Sequence, residues 1–214
     1  MKFDIKLLDN LDYDDVEPLL EDYIDTLIEE FIQSPEAQEQ IADDLEEVGN
    51  WIYHFIDYGY RYEEFTLTKM TLSQVKTLME SLLPRKITIL EKSDAEDAIP
   101  ELVAFWSFLQ REYQLKQAKG IIIYLRSIKD KFPDWMIDPA RGGMAKNFFL
   151  SGLQQGFDME TQEGMNNFKD FFNAQLNPEK SLPTHQKQKP SPKKTKGFGA
   201  WTPSKSSGRK KKKK

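Results

Sequence analysis

The stretch YDDVEPLLEDYIDTLIEEFIQ, residues 13–33, repeats Val16, Leu19, Leu20, Tyr23, Leu27, Ile28 and Phe31 at helical spacing. On a 3.6-residue helix these groups share one side, and Glu21, Asp22, Asp25, Glu29 and Glu30 fill the other. The stretch therefore predicts an amphipathic helix with a strongly negative outer face. Pro18 fits that helix best in its first turn, where a missing N–H is harmless.

The same periodicity continues outward. Ser34-Pro35 resembles an N-cap followed by proline at the first helical position, and the helix it starts is expected to run to about residue 62. Its stripe is Trp51, Phe55, Tyr58 and Tyr62, widened by Val48, Ile52 and Ile56, with Gly49 and Gly59 as weak points. Thr71 with Gln74 forms a capping-box pattern before a helix through Val75, Leu78, Met79, Leu82 and Leu83, which Pro84 is expected to stop. Lys86 to Leu90 reads as an extended connector. Ser93 with Glu96 is a second capping-box pattern, opening a helix through Ile99, Leu102, Phe105, Trp106 and Leu109. Gln114 to Lys131 is helical in period. Its run Gly120 to Leu125 also suits a buried strand, but the flanks are helix formers. Two last helices are expected, from about Met144 to Gln155, closed by Gly156, and after Thr161. The fold class is thus all-α: a single globular domain of about seven helices over residues 1–179.

Charge divides the chain of 214 residues more sharply than its net of −5 suggests. Of 30 cationic residues, 13 lie from Lys180 to Lys214, where there is no acid; that leaves 17 against all 35 acids in residues 1–179, a net of −18. Residues 180–214 are rich in Pro, Gly, Ser and Lys and hold too few apolar groups to offset ordering entropy. They read as a disordered tail, reaching about 30–35 Å as a flexible coil.

That tail is the first candidate site. Lys193, Lys194, Lys196, Lys205, Arg209, Lys210, Lys211, Lys212, Lys213 and Lys214 would attract phosphates, and Phe198 and Trp201 stand among them to stack on unpaired bases. RNA or ribosome is the expected partner. A protein partner, the acidic body itself, or an anionic membrane are the alternatives. The second candidate is the turn Asp138 to Lys146, where Arg141, Gly142, Gly143 and Lys146 suggest a possible anion site at a helix start. Without the Gly-Lys-Ser/Thr ending it is no P-loop, and a plain turn eased by glycine is the competing reading. A third is the segment Trp51 to Phe65, where Tyr53 and Tyr60 fall off the core stripe and are placed to line a groove.

Other chemistry finds little material. The chain has no cysteine and only two histidines, His54 and His185, so no disulfide framework, thiolate metal site or cysteine nucleophile is possible. No catalytic, cofactor-binding or metal-binding residue is assigned. The acidic N-terminus and the lack of a spanning apolar run make the cytoplasm the expected location.

Four short pieces carry a likeness: Leu83-Pro84-Arg85-Lys86, Pro100-Glu101-Leu102-Val103-Ala104-Phe105-Trp106, Gly143-Met144-Ala145-Lys146 and Ser207-Gly208-Arg209-Lys210. Together they resemble an uncharacterised family of bacterial proteins with a helical body and a SEC-C-type tail. Such a tail binds zinc through Cys and His among basic residues. Every cysteine is missing here, so the resemblance implies an all-α body and a basic attachment tail, and no reaction. The expected function is a non-enzymatic cytoplasmic binding protein whose polybasic tail contacts RNA, ribosome or another polyanion while the body selects a partner. The alternative is an adaptor or inhibitor acting through the acidic first helix and the aromatic segment, with the tail for docking or autoinhibition.

Overall fold

The computed structural model describes residues 3–40 and 48–176. The 179/180 boundary and every tail candidate from Lys193 to Lys214 lie outside the described residues. The described chain is all-α, with no strand among its residues. Its elements are α1 (Tyr13–Ile32), α2 (Pro35–Gln40), α3 (Asn50–Glu63), α4 (Leu72–Thr77), α5 (Leu83–Lys86), α6 (Ala98–Tyr113), α7 (Ala118–Ile128), α8 (Phe132–Ile137), α9 (Met144–Gln154) and α10 (Gln162–Leu176).

Local signals account for many of the boundaries. Ser34 accepts the Ala37 N–H at 3.3 Å and starts α2. The Thr71–Gln74 capping box is formed at α4. Gly156 follows α9 at φ 83°, and Thr161 accepts the Gly164 N–H at 3.1 Å to open α10. Four expectations are corrected. Pro18 lies inside α1, beyond its first turn. The helix expected from Pro35 to residue 62 has a separate start at Gly49, whose φ of 109° is incompatible with a continuing helix. The second capping box is Glu91 with Asp94 around a 3₁₀ turn, and α6 begins later, at Ala98. Pro84 does not stop its helix: the backbone widens into a π turn at Leu78–Leu82 and resumes as α5. The short α8 carries too few residues to show a period and was not expected.

Helix α6 is the axis of the core. Its Ile99, Leu102, Phe105, Trp106 and Leu109 are buried, and α2, α3 and α7 pack around it. Phe31 of α1 meets Phe105 edge-on at 5.6 Å, and Phe55 of α3 meets Trp106 at 6.1 Å. Such contacts add about 0.5–1.5 kcal/mol each beyond simple burial. The main core runs from Ile5 to Met136. Helices α9 and α10 form a hairpin around a second aromatic cluster, with Phe148 and Phe168 at 4.7 Å and Phe157 and Phe171 at 5.3 Å. The described residues thus pack as one large cluster with a smaller satellite.

Candidate functional site

The turn singled out for an anion is built around helix ends. Pro84 has no N–H to give to the carbonyl of Glu80, four residues earlier. The guanidinium of Arg141 donates to that carbonyl. The Gly143 N–H donates to the Arg85 carbonyl at 3.0 Å. The ammonium of Lys146 donates to the Pro84 carbonyl at 2.9 Å and to the Met136 carbonyl. The Pro84, Arg85 and Met136 oxygens terminate α5 and α8, whose negative ends favour cations. A Cβ on Gly143 would stand 2.8 Å from the Arg85 carbonyl oxygen, so glycine is what lets the two backbones meet. The structure thus brings Arg141, Gly142, Gly143 and Lys146 together, with the two cations and the Gly143 N–H turned toward protein carbonyls.

Lys146 is buried, and loss of hydration holds its ammonium down to about 8. Replacing it by Met leaves two helix-end carbonyls without their donor. Denaturant unfolding at pH 7 is expected to show a loss of about 1–3 kcal/mol. The sign with pH is defined. Folded Lys146 gives up its proton near 8, whereas the unfolded chain keeps it to the ordinary 10.5. Wild type therefore gains stability relative to Lys146→Met as pH rises through that interval.

Along α3 the aromatic stripe divides. Trp51 and Phe55 enter the core, while Tyr58 is half-buried and Tyr62 is 49% exposed. Tyr60, expected to line a groove, is buried and stacked on Tyr13 at 5.9 Å; the helix brings it against the start of α1. Tyr53 is half-buried. Burial, then the nearby Asp57 and the α1 acid Glu21, raise its hydroxyl above the ordinary range. His54, Tyr58 and Tyr62 instead form a line one helical turn apart, with ring centroids at 5.6 and 5.7 Å. The Lys86 ammonium extends the line, 4.2 Å over the Tyr62 ring. Beyond the Gly143–Arg85 contact, Arg141 lies 4.8 Å over Trp135.

One residue of chemical interest escaped the sequence reading. Glu101 of α6 is only 4% exposed and accepts the Ile52 N–H at 2.9 Å. The Gly49 and Trp51 N–H groups also face it, so it caps α3 from another helix in place of the side chain that Gly49 lacks. Burial dominates and pushes its carboxyl up to about 8, with nearby Asp97 acting in the same direction. The available signal was an acid inside the apolar run Ile99 to Leu109.

The outer face of α1 is acidic, as expected. Asp12, Asp14, Asp15, Glu21, Asp22 and Glu29 are exposed. Glu17 pairs with Arg61 at 2.7 Å, and Arg61 also holds Asp57 at 2.6 Å. Glu30 accepts the Tyr113 hydroxyl at 2.5 Å. Among the described residues no group of three or more acidic or histidine side chains is placed to hold a metal ion. None of the described helices is long and apolar enough to cross a membrane. Comparison with protein families, with curated proteins and with solved structures finds no match to this chain.

Proposed function

We propose that this chain is a non-enzymatic, cytoplasmic binding protein that holds RNA, or the RNA of a ribosome, through residues 180–214. The observation that carries this reading is the charge division: 13 cations and no acid in that segment, against a net of −18 in the rest. Counterion release makes such a run a strong phosphate ligand, and Phe198 and Trp201 add stacking surfaces.

With about six phosphates engaged on a single strand, log affinity is expected to fall against log salt with a slope near −4. Changing Lys210 through Lys214 to Gln in the full chain should make that slope shallower, by up to about 3.5. Filter binding of an oligouridine across a salt series measures both. Equal slopes for the two proteins would end the proposal. The second reading, a protein adaptor, draws on the exposed acids of α1. It predicts a partner that is retained after nuclease treatment and after the same lysine changes.

A further inference from the structure

We infer that the body carries a second RNA contact: a track for single-stranded RNA formed by Tyr58 and Tyr62 of α3, Arg85 and Lys86 of α5, and the Trp135–Arg141 pair. The inference deepens the polyanion reading above and rests on it. The three parts are adjacent. Lys86 lies 4.2 Å over Tyr62, and Tyr62 is 5.7 Å from Tyr58. Arg85 is the next residue on α5, a helix of four residues and so about 6 Å long. Its carbonyl takes the Gly143 N–H at 3.0 Å, and Arg141 stands two residues before that glycine, 4.8 Å over Trp135.

Electrostatics favours this face over that of α1. Arg85 and Lys86 are exposed, while the dense acids of the chain lie on α1. The burial of the α3 rings separates the two sides. Tyr53 has Glu21 and Asp25 among the charges that act on its hydroxyl, whereas for Tyr58 the charged neighbour is Asp57, which is held by Arg61. Acids border the track, Asp57 beside Tyr58 and Asp134 beside Trp135 among them. Asp138 is 3.8 Å from Arg141, and Glu80 accepts the Tyr124 hydroxyl at 2.9 Å. Rings a helical turn apart, with a cation over one face of Tyr62 and of Trp135, suit bases better than a peptide. Each base offers a π face, and its phosphate falls to the neighbouring cation. The backbone ties at Glu80, Pro84 and Arg85 fix the platform before the ligand arrives.

The test uses the full chain and a photoreactive oligouridine. Three proteins are compared with wild type: Arg85→Glu with Lys86→Glu, Tyr62→Ser, and the five-lysine tail variant. Circular dichroism melting confirms the fold of each. The charge reversal is expected to weaken binding about tenfold or more, and Tyr62→Ser about tenfold. Crosslinks should map to Tyr58, Tyr62 or Trp135. Unchanged affinity in both body variants, with every crosslink beyond residue 176 and a weakened tail variant, would overturn the track and leave the polyanion reading intact. No binding by wild type would overturn both. If the charge reversal weakens heparin equally and no base crosslinks to a ring, the face is a general anion surface and the RNA assignment fails.

Discussion

Glu101→Gln is expected to flatten the dependence of stability on pH. The carboxyl has a folded pKa of about 8 against an ordinary 4.5. Between those values the folded chain holds a proton that the unfolded chain has released. Stability from this group is complete below 4.5 and is lost as pH rises toward 8. The shift corresponds to a swing on the order of 4 kcal/mol. Glutamine keeps an oxygen for the Ile52 N–H and cannot ionise. At pH 5 the two proteins should therefore be similar, and above pH 8 the variant should be more stable. Urea unfolding at several pH values gives the difference curve, in which the many other carboxylates cancel. Parallel profiles would mean that Glu101 does not titrate in this window.

Trp106→Ala is expected to cost about 3–5 kcal/mol. The side chain is fully buried on α6 and packs edge-on against Phe55, so its removal opens a cavity where α3 meets α6. For a domain of this size that is a fall in melting temperature of roughly 6–20 °C. Trp106→Phe separates two effects. It loses ring area, but it also removes a buried indole N–H that has no hydrogen-bond partner among the described residues. Relief of that burden, about 1–3 kcal/mol, should make the Phe variant much milder than the Ala variant. Comparable losses in thermal melting would assign the damage to shape alone.

The long helices were legible because their apolar groups repeat. In α1 the pattern of Val16, Leu20, Tyr23, Leu27, Ile28 and Phe31 matches the buried set, with Ile24 added and Leu19 turned outward. Caps were legible where the side chain bonds within its own turn, as at Ser34, Thr71 and Thr161. What could not be read was supplied across the chain. The π turn exists because Pro84 withholds a donor, and Arg141, 61 positions from Glu80, answers the exposed carbonyl. The cap of α3 comes from Glu101, 49 positions from Ile52. For Arg141 and Lys146 the sequence leaves the target open, because an Arg and a Lys beside two glycines read the same whether they face phosphates or backbone carbonyls.

The satellite hairpin alters how tension would enter the molecule. Helix α10 grips α9 through phenylalanine rings that stand apart from the main core. A load applied along α10 would therefore reach the main core through α9, at the ties of Gly143 to Arg85 and of Lys146 to Pro84 and Met136.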